Sequence, residues 1–143
     1  MGNWDSWIEK QTSVEAFIDP AQVQKLEATL DRTPLLSNGD ALPPAWHWLY
    51  FHEQAKASDL GADGHTRLGI TMPNFPLPRR MWAGGNIKWL NPVEIGKDAK
   101  RNSKIISIEE KSGRTGDLIF VTLVHQIHQS GRLCIHEKHN IVY

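Results

Sequence analysis

The chain has 143 residues, enough for one core of ordinary size, and its 16 Lys and Arg balance its 16 Asp and Glu. A neutral chain with no basic tail has no bulk attraction for nucleic acid, no apolar run approaches a membrane span, and MGNWDSWIEK lacks the apolar stretch and basic flank of a signal peptide. Cys134 is the only cysteine, which excludes a disulfide framework within the chain and makes a reducing, cytoplasmic setting the expectation.

Residues 20–31 are expected to form a helix. Asp19 is a capping residue, Pro20 suits the first turn, and Val23, Leu26 and Leu30 recur at three- and four-residue spacing. After a loop through Ser37–Asp40 and the pair Pro43-Pro44, the segment Ala45–Glu53 (AWHWLYFHE) is aromatic almost throughout. It lacks a polar face, so a short buried helix is predicted there. Residues 54–78 are rich in Gly, Pro and Asp without periodicity, and a loop of that length in a compact domain is often functional.

Four strands follow in the pattern, at Gly85–Trp89, Lys100–Lys111, Leu118–Gln129 and Leu133–Tyr143. Ser112–Gly116 and Gln129–Arg132 are suited to hairpin connections. On the third strand Ile119, Val121, Leu123 and Ile127 share one face, and Leu118, Phe120 and Val124 share the other. A strand apolar on both faces calls for cover on both sides. The aromatic helix can supply one layer; the other is expected from a partner. The whole is an α+β pattern, an antiparallel meander round one buried helix. The hot-dog fold has this layout, as do other α+β folds.

The richest stretch is Pro76–Gly96, PLPRRMWAGGNIKWLNPVEIG. Arg79 and Arg80 present adjacent planar forks suited to phosphate or carboxylate, and equally to an ion pair with a neighbouring unit. Gly84 and Gly85 open a strand where a backbone or a ligand must come close. Trp46, Trp48 and Trp82 suit an acyl channel, though tryptophans also dominate ordinary cores. The histidines form no metal set along single strands: His125 and His128 differ in parity, as do His136 and His139. His47 and His52 flank the aromatic segment in structural or solvated positions, and His65 is the loop candidate.

LPPAWHWLYF, PLPRRMWAGG, the strand ending in Asn91-Pro92, and ISIEEKSGRTGDLIFVTLVHQIHQSGRLCIHEKHNIVY together resemble the N-terminal half of the MaoC-like hydratases. The likeness is greatest to the branch acting on 3-methylfumaryl-CoA (mesaconyl-CoA) and to the type 2 hydroxyacyl-thioester dehydratases. It implies a hot-dog unit, residues 1–143, that handles enoyl or 3-hydroxyacyl thioesters, with coenzyme A present only as part of the substrate. It also implies substrate-binding roles for Arg79, Arg80, Trp82, Gly84, Gly85 and Trp46. Members of the family contain two hot-dog units, and the second carries an acidic or amide residue with a histidine five positions on. Asp31, Asp40 and Asp59 meet Leu36, Ala45 and Gly64 at that spacing. The expectation is therefore a non-catalytic half that ends in mid-strand. Its second unit would be a C-terminal half, a separate subunit or a copy of the same chain. A hot-dog subunit that only completes a dimer, and a homodimeric thioesterase using Glu53 or Asp63, remain as alternatives.

Overall fold

In the computed structural model, which describes residues 3–114 and 116–143, five antiparallel strands form one sheet. They are β1 (Gln11–Phe17), β2 (Met81–Trp89), β3 (Asp98–Gly113), β4 (Gly116–Gln129) and β5 (Arg132–Val142), in the order β1-β3-β4-β5-β2. Among the described residues the one α-helix, α1 (Pro20–Thr29), starts where Asp19 accepts a hydrogen bond from the Ala21 N–H at 2.9 Å and Pro20 fills the first turn. Val23 is fully buried on its inner side. The buried Glu27 caps the chain that follows, its carboxylate accepting from the N–H groups of Leu35 and Leu36.

The three long strands lie where the alternation placed them. β3 and β4 pair from Lys100↔His128 out to Gly113↔Gly116 across the expected hairpin, of which Thr115 lies outside the described residues. The edge strand β1 is an addition. It is short and mostly exposed, with only Val14 and Ala16 turned partly inward, so its apolar alternation is too faint to stand out. β2 begins four residues earlier than Gly85, because Met81 and Trp82 pair with Val142 and Ile141.

The segment Ala45–Glu53 corrects an expectation. It is not a buried helix but one 3₁₀ turn, Trp46–Leu49, entered through Ala45 at φ +69° and left through Phe51 at φ +62°. Its side chains have partners in different directions that a regular helix would not reach together. Trp46 packs on the core, His47 reaches Glu137, and the Tyr50 hydroxyl donates to the Asp19 carbonyl at 2.6 Å. These contacts outweigh the marginal propensity of so short an aromatic helix.

The inner face of the sheet carries two apolar clusters at opposite ends. One joins Ile18 and Val23 near α1 to Tyr50, Phe51, Ile95, Ala99, Ile127 and Ile135. The other joins Met72 and Phe75 of the long loop to Ile105, Ile119, Val121, Ile141 and Tyr143. Each fully buried aliphatic side chain contributes about 1.5–3 kcal/mol. The long loop thus covers the Val121 face from within the chain, the layer that the aromatic segment was expected to share in supplying. The large apolar side chains that stay exposed include three on the edge strand β2: Met81, Trp82 (70 % exposed) and Trp89.

Candidate functional site

Between the two apolar ends, the inner positions turn polar. Arg101 and Ser103 on β3, His125 on β4, and Glu137 and His139 on β5 have the parity of the flanking core residues, so they face inward. Register brings them together: Ser103 lies opposite His125, and His125 opposite Glu137. Next to that row, Ile105, Leu123, His139 and Gly85 align across four strands.

A hydrogen-bond chain runs through the row. The Ser103 hydroxyl is 2.7 Å from His125 Nδ1, and His125 Nε2 is 3.3 Å from His139 Nδ1. Burial, reinforced by the Arg101 charge and only partly opposed by Glu137, pushes His125 down to about 4. Burial also lowers His139, against the pull of Glu137 and with the push of Arg80 and Arg101. Both rings are therefore neutral near pH 7, and such a chain can run in either direction.

Glu137 is held differently. The His47 Nε2–H lies 2.8 Å from Oε2, and the Trp48 Nε1–H donates to both oxygens at 3.0 and 3.3 Å. Burial works against its charge, but the hydrogen bonds from His47 and Trp48, with the fields of His47 and His125, keep this carboxyl below the usual glutamate range. A carboxylate saturated with donors and shifted downward is a poor general base, since a catalytic base is tuned upward toward neutrality. His125, near 4, is likewise a weak base.

Among the described residues Arg101 has no ion pair. Its guanidinium lies 5.9 Å from the Phe51 ring, and its Nε is buried with no hydrogen-bond partner. Burial lowers its pKa against the distant attraction of Glu53 and Glu137, but guanidinium stays protonated regardless. Arg101, His125 and His139 line two neighbouring cavities. One, about 370 Å³, also has Ser103, Arg80 and the loop residues His65 and Met72 in its wall. The other, about 480 Å³, adds Trp48, Trp82 and Glu137. Both are of a size that takes a small organic group.

The structure divides the residues singled out in the sequence. Arg80 and Trp82 reach the cavities, whereas Arg79 is exposed and Trp46 packs against the core beside α1. At Gly84–Gly85 the structure shows a close backbone approach. Gly84 sits at φ +146° next to a bulge, and a Cβ at Gly85 would meet the Lys138 carbonyl at 2.8 Å. His65 is an exposed turn histidine hydrogen-bonded to Asp63. Arg101, Ser103 and Glu137 were not foreseen. Their sign in the sequence is polar residues at the inward parity of otherwise apolar strands.

Residues 45–143 match the family described as Hydroxyacyl-thioester dehydratase type 2. Over 142 residues the chain is 44% identical to Mesaconyl-C(4)-CoA hydratase of Chloroflexus aurantiacus, covering 99% of this chain and 51% of that protein. The chain therefore spans about half the length of that relative. Among solved structures, the ChsH1–ChsH2 complex of Mycobacterium tuberculosis superposes with a TM-score of 0.65 at 10% identity, over 93% of this chain and 82% of that one. A MaoC-like dehydratase from Rhodospirillum rubrum gives 0.55 at 15% identity, over 99% of this chain and 95% of that one. The sheet order and these likenesses establish the hot-dog fold.

Proposed function

The chain belongs to the type 2 hydroxyacyl-thioester dehydratase family, and on that footing we propose that it is the N-terminal, substrate-binding hot-dog unit of an enzyme that reversibly hydrates an enoyl thioester of coenzyme A. The observation that carries this reading is the polar gap in the inner face. Two well-packed apolar ends leave a cavity of about 370 Å³ between them, walled by Ser103, His125, His139 and Arg101, where a fold built only for stability would be filled. The acyl group occupies that gap. Arg80 stands in its wall to meet the phosphates of coenzyme A, and Trp82, in the wall of the neighbouring cavity of about 480 Å³, flanks the thioester arm. Arg79 adds positive charge outside the cavity, while Gly84, Gly85 and Trp46 shape the strand and core behind it.

The acyl group proposed first is 3-methylfumaryl, in keeping with the name of the Chloroflexus relative. Hydration needs a base to activate water and donors for the developing enolate oxygen. Glu137 and His125 have environments that suppress basicity, so this unit binds and positions while a second hot-dog unit supplies the base. The exposed apolar residues of β2, with Trp82 next to the cavity, offer that unit a docking edge. No cofactor is required beyond the coenzyme A carried by the substrate. The test is photocrosslinking with an acyl-CoA bearing a photoreactive group at the acyl end, in the assembled enzyme. Label on β3–β5 peptides containing Ser103 and His125 supports the proposal; label confined to the second unit contradicts it.

A further inference from the structure

Arg101 is the least explained charge in the molecule. Natural proteins seldom bury a guanidinium without a carboxylate, because desolvation is costly unless the fork of donors is matched. Here the described residues offer it no ion pair, only a face-on ring and one buried N–H without an acceptor. Glu53 and, more weakly, Glu137 attract it only from a distance, and Glu137 is already taken by His47 and Trp48. The wall around Arg101 is also lopsided in charge. Lys10, Arg80, Arg101 and Lys104 line the same cavity as the carboxylate of Glu53; Lys104 is paired with Glu9 at 2.6 Å, which still leaves three cations to one carboxylate. When the hydrogen-bond chain runs from the Ser103 hydroxyl through His125 to His139 Nδ1, it leaves the single proton of neutral His139 on Nε2, one ring N–H free to donate.

Such a wall is suited to an anion brought in from outside. The phosphates of coenzyme A are hydrated and bulky, whereas Arg101 is half-buried with its Nε cut off from solvent. A carboxylate at the far end of a short acyl chain suits it: it is planar, accepts two parallel N–H bonds and matches the guanidinium fork. We propose that Arg101, assisted by His139, which Ser103 and His125 orient, anchors the free carboxylate that a 3-methylfumaryl group carries, so that this one residue sets the preference for dicarboxylic monothioesters over plain enoyl thioesters. The proposal deepens the hydratase reading and rests on it for the thioester, but the recognition step can be read independently of turnover.

The test compares two four-carbon trans-enoyl thioesters that differ at one end, fumaryl-CoA with a carboxylate and crotonyl-CoA with a methyl group, in the full-length enzyme. Fumaryl-CoA should be preferred in kcat/KM by about tenfold or more. Arg101→Gln should reduce its kcat/KM by about ten- to a hundredfold, mainly through KM, with crotonyl-CoA changed less than about threefold. Arg101→Lys, which keeps the charge but not the fork, should fall between. Equal use of the two thioesters by the wild type overturns the proposal even if every variant fails to fold. Equal loss of both substrates in Arg101→Gln also overturns it, because a merely structural arginine acts that way. A binding arm separates this idea from the hydratase reading: titration with monomethyl fumarate and methyl crotonate, followed by NMR of the arginine and histidine side chains. Saturable binding of monomethyl fumarate alone, lost in Arg101→Gln, upholds the anchor even if neither thioester is hydrated. Absence of that binding in the wild type overturns it even if hydration is found.

Discussion

Replacing His125 by asparagine should make the protein less sensitive to acid. In the fold His125 is pushed down to about 4 by burial and by the Arg101 charge, against about 6.5 in an unfolded chain. Its native pKa lies below the unfolded one, so the unfolded state binds the extra proton first. Stability from this residue is complete above about pH 6.5 and is lost as pH falls toward 4. Between pH 7 and pH 5 the wild type should lose about 2 kcal/mol through this group alone, at about 1.4 kcal/mol for each pH unit below 6.5. The asparagine side chain would keep a polar partner for Ser103 and would not titrate. The assay is urea unfolding of both proteins at pH 7, 6 and 5. The gap between them should narrow by about 2 kcal/mol across the series, or reverse in favour of the variant. A gap independent of pH would refute the buried, neutral state assigned to His125 and the hydrogen-bond chain built on it.

Two further outcomes follow from the geometry. Arg80→Ala should raise KM for the acyl-CoA substrate by about ten- to a hundredfold, since a charge-assisted phosphate contact contributes about 1.5–3 kcal/mol, while Arg79→Ala should change it little; steady-state kinetics on the two variants separates them. Gly85→Ala places a methyl 2.8 Å from the Lys138 carbonyl and must push β2 off β5, so thermal unfolding should show a loss of about 1–3 kcal/mol with faster amide exchange in β2.

Except for the edge strand β1, the strands and α1 were legible because their signals are local. Alternation marks β3, β4 and β5, and Asp19-Pro20 with Val23 marks the helix start. The candidate site was not legible, because it depends on register across strands. The turn at Gln129↔Arg132, extended without interruption, would set His125 opposite His136 on the same ladder. An extra residue at Cys134 shifts the pairing by one and brings Glu137 there instead. A second extra residue, at Ile106, brings Ser103 opposite His125. A one-residue slip moves every side chain to the other face, and neither bulge carries a glycine or other mark in the sequence. Comparing histidine parity within one strand was sound for His125 and His128, but contact between His125 and His139 crosses two strands. The aromatic segment was misread for a different reason: Trp46, His47 and Tyr50 follow tertiary partners, and a helical pattern of burial was inferred from composition alone.

The central claim is that these residues bind the acyl thioester but need a second hot-dog unit for chemistry. The direct measurement uses the 143-residue chain by itself, with its mass in solution determined alongside hydration of 3-methylfumaryl-CoA, followed by loss of enoyl-thioester absorbance. Self-association through the exposed β2 edge and no turnover are expected, with activity appearing when the second unit is added. Turnover by a well-behaved monomer would contradict it.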